Sequence, residues 1–518
     1  MSMTTYFQLI FSFLLFFGIC RENVMVQDPV AVTGGLISGE YLDQAQVHTY
    51  KGIPFAAPPV GNNRWRAPQP VIPWQGVRAC TSFGPSPMQS KPVPFMYWSR
   101  EFLIPESPIS EDCLYLNVWT GAKDPNEKRP VLVYIYGGGF QSGGTGCAIY
   151  DGTAMAQKGI VFVSINYRVG SFGFFAHPEL TAESGYGASG NYALLDMIAA
   201  LKWVQDNITA FGGDPSQVTI AGQSAGSFAV NFLTASPMAK GLFIRAIGES
   251  GANFYSNPRR GPADLKSAEN AGLEYARTMQ AADLEALRNL PAEQILSTYR
   301  SISWPISDGY VLPGTVMDIY QAAKENKFAL LAGWNGNDVI MGPPANQDAF
   351  RSTMEKRFGE EVSQLWEVYP NNSQAQSDAV QKAINRDESF GVQVYTWARM
   401  HSANGQPAYV YNFNRSLPAY DASTAFGAFH SGEIVYAYDN LNTVDRPWKA
   451  IDHEIANLLS SYWVNFVRTG NPNGENLPDW PAFETKSNLT MIIDTVSHSE
   501  PLPTLPQIQF WENYYQNH

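Results

Sequence analysis

Val218-Thr219-Ile220-Ala221-Gly222-Gln223-Ser224-Ala225-Gly226-Ser227-Phe228-Ala229-Val230 decides how this chain is read. The first four residues suit a strand, the G-x-S-x-G pentapeptide suits a sharp turn, and the small apolar residues that follow suit a helix. Such a turn forces its serine into a strained backbone that lifts Oγ clear of the sheet, with glycines where side chains would collide. Ser224 is therefore a candidate nucleophile, provided the rest of the chain supplies a base, an acid and oxyanion donors.

Working outward, further strand-like runs are Val131–Ile135, Ile160–Ile165, Ala329–Leu331 and Tyr409–Tyr411, with helical segments between them. Strands alternating with helices imply an α/β fold with a mostly parallel central sheet covered by helices on both faces. Between the second and third strands, Leu194, Leu195, Ile198, Leu201 and Ile208 recur at helical spacing and predict an amphipathic helix whose apolar stripe is core. The segments 253–326 and 348–400 lack strong strands and are expected to be helical insertions capping the ligand-binding edge of the sheet. No internal repeat or low-complexity tract interrupts the pattern.

With 518 residues, 45% hydrophobic and 16% charged, the chain can bury a large core and is too apolar for disorder. A formal charge of −13 argues against a nucleic-acid partner, which needs a basic face. Phe7 to Cys20 is almost uninterrupted apolar sequence followed by Arg21-Glu22-Asn23, with small residues at Gly18 and Cys20. This predicts a signal peptide over residues 1–20, a single domain over 21–518 and secretion; a lipid-anchored Cys20 and a buried N-terminal strand are the alternatives. No other stretch is long and apolar enough to span a membrane, so stable membrane insertion is not expected.

A nucleophilic serine needs N–H donors aimed at the developing oxyanion. Tyr136-Gly137-Gly138-Gly139-Phe140, directly after a strand, offers backbone that can approach a tetrahedral centre without Cβ interference. A phosphate or dinucleotide loop fits poorly, because neither G-x-G-x-x-G nor a G-K-[ST] ending is present. A zinc site also lacks support: no C-x-x-C pair or H-E-x-x-H helix occurs, and His430-Ser431-Gly432-Glu433 lacks a second ligand pair. No cofactor or metal is expected.

Five ordered motifs together resemble the type B carboxylesterases, the α/β-hydrolase family that includes the cholinesterases. They are Glu111-Asp112-Cys113-Leu114-Tyr115-Leu116-Asn117-Val118, the Gly137–Phe140 run, Asn166-Tyr167-Arg168-Val169-Gly170, Phe211-Gly212-Gly213-Asp214-Pro215 and the Ser224 turn. The resemblance extends from Tyr50-Lys51-Gly52-Ile53-Pro54 to Gly470-Asn471-Pro472-Asn473. It implies the α/β-hydrolase fold, a small-molecule ester substrate, Ser224 as nucleophile, and the amides of Gly138, Gly139 and Ala225 as the oxyanion hole. It also implies a Cys80–Cys113 disulfide, which an oxidising compartment would permit and which leaves Cys147 as a spare thiol. The pairs Arg64–Glu111 and Arg168–Asp196 match buried structural salt bridges of the family.

Chain order in this fold is serine, acid, histidine. Of seven histidines, His430 follows a predicted strand, has Gly427 and Gly432 around it and matches the family's histidine motif; His453 falls in a helical pattern. The acid departs from the family. Relatives carry Asp-Glu-Gly, whereas this chain reads Asn335-Gly336-Asn337-Asp338-Val339, with Asp338 at the glutamate position. An aspartate one methylene shorter still orients imidazole Nδ1–H if its loop moves inward. Asp308 is the other candidate, although its family counterpart is structural. Gln223, Glu433 and Ser250 are expected behind the reacting groups. Gln223 stands where most relatives have a glutamate that helps hold a choline head, which turns the expectation from quaternary ammonium substrates toward general carboxylic esters with an apolar or aromatic part. Trp98 lies in the loop between the two cysteines, where the family's choline-stacking tryptophan is found. The competing functions are a catalytically inactive adhesion protein and a serine peptidase on the same fold. Asn207, Asn371, Asn414 and Asn488 head glycosylation sequons, Asn207 on the predicted helix.

Overall fold

Runs of β-branched and aromatic residues pair edge to edge because each one alone would leave its backbone unsatisfied and both faces exposed. In the computed structural model, which describes residues 28–255, 263–298 and 304–518, they build an 11-stranded sheet. In chain order its strands are β1 (Glu40–Leu42), β2 (Val47–Pro54), β3 (Tyr115–Thr120), β4 (Arg129–Ile135), β5 (Val161–Ile165), β6 (Gly213–Gln223), β7 (Arg245–Glu249), β8 (Ala329–Asn335), β9 (Ala408–Phe413), β10 (Leu489–Ile493) and β11 (His498–Pro501). Across the sheet the order is β11-β10-β9-β8-β7-β6-β4-β5-β3-β2-β1. Every pairing from β10 to β5 is parallel, and antiparallel strands close both edges. All the strands expected from sequence lie in the parallel block. The antiparallel flanking strands, β7 and β10 lie beyond the expected set; β7, Arg-Ala-Ile-Gly-Glu, is framed by charges that hide its pattern although every residue is buried.

The expected helix forms as α1 (Tyr192–Asn207), but it is not amphipathic. Within it only Lys202 and Asp206 are exposed. It packs against β6, the turn Gly170–Phe174 and helix α2 (Ala225–Ala235), so it is covered on nearly all sides. Buried Asp196 on α1 is matched by Arg168, with contacts of 2.6 and 2.8 Å. Arg64 and Glu111 make the second expected bidentate pair at 2.5 and 2.7 Å. Helices fill much of both insertion segments, including Leu265–Thr278, Gln347–Phe358, Gln374–Arg386 and Val392–Ala403. The last of these packs on β8 and β9, so the second insertion covers a sheet face as well as reaching the strand ends.

Three expectations change or fall outside the described residues. Cys80 and Cys113 are free, buried thiols, so the expected disulfide is not formed. Burial pushes the Cys80 thiol up to about 11 and the Cys113 thiol well above its ordinary value, which favours the protonated form of both. Asn207 is buried, with Nδ2 donating to Trp203 O and Oδ1 accepting from Thr33, which closes that sequon to glycan in the folded protein. The signal peptide over 1–20, with Cys20, lies outside the described residues. Among the described residues no helix is long and apolar enough to cross a membrane.

Candidate active site

Parallel strands deliver side chains to one edge of the sheet, at their carboxyl ends. Leaving β6, Ser224 takes φ 57° and ψ −124° before α2 begins at Ala225. The turn is tight enough to exclude side chains on its flanks: a Cβ on Gly222 would lie 2.5 Å from the Gly226 carbonyl carbon, and one on Gly226 would lie 2.0 Å from Ile135 O. Ser224 N donates to Glu249 O at 2.8 Å, which ties the strained residue to β7. Ser250, one residue past β7, is also left-handed at φ 58°, and its N donates to Gly333 O on β8. Ser250 Oγ is buried without a hydrogen-bond partner.

Next to β6, β4 ends at Ile135 and runs into the glycine turn. The Gly138 carbonyl accepts from Gln141 N, Ser142 N and Ser142 Oγ at 3.0–3.2 Å. Because a trans peptide points its C=O and N–H oppositely, this fixes the Gly139 N–H away from the Ser142 turn. Gly137, Gly138 and Gly139 all line the cleft that holds Ser224. Ala225 opens α2, so its N–H has no intrahelical acceptor.

Asp338 follows β8 and is wholly buried, as is His430. His430 Nδ1 lies 2.5 Å from Asp338 Oδ1, and Asp338 Oδ2 accepts from Asn335 N at 3.0 Å. Asn337 N donates to Ala428 O, and Asn337 Oδ1 accepts from Ala428 N, both at 3.0 Å, which draws the acid loop onto the histidine loop. The His430 ring stacks on Phe390 at 4.7 Å and meets the edge of Trp98 at 6.1 Å. Its Nε2 lies 3.2 Å from Gln223 Nε2. Asp308 lies elsewhere, its Oδ1 accepting from the amides of Tyr310, Val311 and Leu312, and His453 is an exposed helical residue.

Glu433 is buried and accepts from Asn335 Nδ2, so it stands behind Asp338 and makes no hydrogen bond to His430. Burial, reinforced by Glu249 and Asp338, holds its carboxyl well above the usual carboxylate range. Glu249 is likewise buried and pushed up to about 8, against hydrogen bonds from Trp463 and Tyr438 that pull the other way. Sequence reasoning missed the roles of Asn335, Asn337, Ser431 and Phe390. A polar residue beside each expected catalytic position was the available signal for the first three. Phe390 comes from a distant helical insertion and gave none.

The cleft has a volume of about 690 Å³. Ser224, His430, Gln223 and Gly137–Gly139 form its floor, and residues between Gln89 and Ile104 form much of its wall. Val93, Phe95 and Ile340 are exposed apolar residues at its lip. Lys91 is the only lysine, arginine, aspartate or glutamate among its lining residues. Among the described residues no group of three or more His, Cys, Asp and Glu is placed to hold a metal ion.

The sequence profile of the carboxylesterase family matches residues 27–511, nearly the whole chain. The chain belongs to the carboxylesterase family. The esterase is 34% identical to the fumonisin B1 esterase of Sphingopyxis macrogoltabida, over 89% of this chain and 86% of that protein. It is 33% identical to liver carboxylesterase 1 of Oryctolagus cuniculus, over 93% and 91% of the two chains. It is also 32% identical to the para-nitrobenzyl esterase of Bacillus subtilis strain 168, over 87% and 91%. With such relatives along almost its full length, this esterase is a carboxylic ester hydrolase on the α/β-hydrolase fold.

Proposed function

We propose that the protein is a secreted serine esterase working through an acyl-enzyme on Ser224, with His430 as base, Asp338 as orienting acid and the amides of Gly138, Gly139 and Ala225 as oxyanion donors. The observation that carries this reading is the 2.5 Å contact between His430 Nδ1 and Asp338 Oδ1 in the same site as a left-handed serine at a strand-helix turn. As Ser224 Oγ attacks the ester carbonyl, its proton passes to His430 Nε2, and Asp338 stabilises the imidazolium. The carbonyl oxygen becomes an oxyanion held by the three amides. Collapse expels the alcohol, which takes the proton from His430, and leaves the acyl group on Ser224. Water then repeats the sequence and releases the acid.

The cleft favours esters with an apolar or aromatic acyl or alcohol part. Its walls carry Phe95, Trp98, Phe102, Leu103 and Ile104, and no carboxylate lines it to attract a quaternary ammonium head. The test is organophosphate labelling of wild type and Ser224→Ala, followed by peptide mapping, with p-nitrophenyl esters of rising acyl length as substrates. One label on Ser224 and loss of turnover in Ser224→Ala are expected. An unlabelled Ser224 in folded, active enzyme sinks the reading.

A further inference from the structure

We infer that Trp98, Ser431 and Gln223 form a one-way hydrogen-bond chain that keeps Nε2 of His430 unprotonated in the resting enzyme, making Gln223 and Ser431 positioning residues for the base. The inference rests on the serine-esterase reading above and adds a part to it. Trp98 Nε1 donates to Ser431 Oγ at 3.3 Å. An indole N–H can only donate, so the chain has a fixed direction at this end. Ser431, having accepted, gives its own proton to Gln223 Oε1 at 3.1 Å. The amide carbonyl is thereby engaged, and its NH₂ is left facing His430 Nε2 at 3.2 Å. An N–H opposite a ring nitrogen requires that nitrogen to be an acceptor. The ring proton therefore sits on Nδ1, donated to Asp338 at 2.5 Å. The far end is fixed too, because a carboxylate only accepts. This is the tautomer a general base needs, and because Nε2 has a single lone pair, the Gln223 N–H gives it up when Ser224 Oγ–H comes to donate.

The alternative setting of the amide defines what the chain does. Rotated by 180°, Gln223 would present Oε1 to His430 and NH₂ to Ser431, an arrangement that suits a ring protonated on Nε2. The Ser431 hydroxyl proton, oriented by Trp98, opposes that rotation. A glutamate placed at position 223 would accept only and would favour the protonated ring. Ionisable groups on the other sides of His430 are Asp338, bonded to it, and Glu433, Tyr97 and Arg386, which act on or beside Asp338, with Glu249 beyond Glu433. All stay in place when Gln223 or Ser431 is replaced.

The experiment is the pH profile of kcat/KM on a p-nitrophenyl ester for wild type, Gln223→Glu, Gln223→Met, Ser431→Ala and Trp98→Phe, with Ser224→Ala as control. In Gln223→Glu the acid limb should move to higher pH by about one unit or more, since a carboxylate beside the ring favours its charged form. Ser431→Ala, which frees the amide to rotate, should move it the same way by less. Trp98→Phe keeps a smaller aromatic side chain in the wall and removes the donor, and should follow Ser431→Ala. Gln223→Met, similar in size and unable to hydrogen-bond as an amide, should lower kcat roughly 10-fold without that upward shift. Acid limbs in Gln223→Glu and Ser431→Ala that superimpose on wild type overturn the inference, whatever happens to absolute rates. Retained turnover in Ser224→Ala would instead overturn the serine-esterase reading.

Discussion

At the scale of single residues, the proposed mechanism turns on Asp338 as the group that orients His430. The two Asn337–Ala428 hydrogen bonds tie the Asp338 loop to the His430 loop, and Asp338 Oδ1 lies 2.5 Å from His430 Nδ1. Asp338→Ala should therefore lower kcat by about 10⁴-fold, as expected when an imidazole loses the group that sets its tautomer, with little change in KM. Near-normal turnover in that variant would remove Asp338 from the mechanism. Asn337→Ala should lower kcat too, because it releases the loop that carries the acid. The sequence displayed Asp338 and its neighbour plainly, but the pairing of Asn337 with Ala428 joins positions 91 residues apart.

At the scale of elements, the glycine turn after β4 separates two effects that sequence alone runs together. A Cβ on Gly138 would lie 2.2 Å from Ser142 O, within the turn that fixes the donor, whereas a Cβ on Gly139 meets nothing within 4 Å. Both residues have positive φ, 118° and 64°, so alanine is strained at either. Gly138→Ala should cost roughly 10²–10³-fold in kcat, of the order of one lost oxyanion donor. Gly139→Ala should cost less, since only its backbone strain and no clash opposes it. Equal losses in kcat for the two would show that the turn's contact with Ser142 is not what holds the donors. Helix α1 teaches the complementary lesson. Its apolar spacing was legible, but the burial of its remaining face depends on what packs there, and Asp196 is tolerated inside only because Arg168 reaches it.

At the scale of the whole molecule, two glutamates sit in the core behind the active site, Glu249 at the end of β7 and Glu433 beyond His430. The Glu249 carboxyl is raised from the ordinary 4.5 to about 8, so the folded protein keeps a proton that the unfolded chain releases. Stability from this group is full below about pH 4.5 and is lost as pH rises toward about 8, at up to about 1.4 kcal/mol per pH unit for one proton. Glu433 acts in the same direction. Glu249→Gln should flatten the fall of Tm between pH 5 and 8, measured by thermal unfolding across that range at constant ionic strength. A Tm profile as steep as wild type would mean that Glu249 is already ionised in the folded protein.

Local chemistry, legible in short stretches of the chain, dictates the first layer of this structure. The strand-turn-helix around Ser224, the glycine run after β4 and the alternation that makes a parallel sheet follow from backbone sterics and periodicity within short windows, while the serine-acid-histidine order is what the family resemblance implies. The second layer is set by distant segments meeting in the fold. Phe390 arrives from an insertion to stack on His430, Trp98 arrives from the N-terminal third to face Ser431, and Glu249 and Glu433 lose water together behind the acid strand. Charged and polar side chains carry no local mark of whether they will be desolvated. Their protonation and their partners are fixed only when the sheet brings its carboxyl ends to one edge and the surrounding segments close over it.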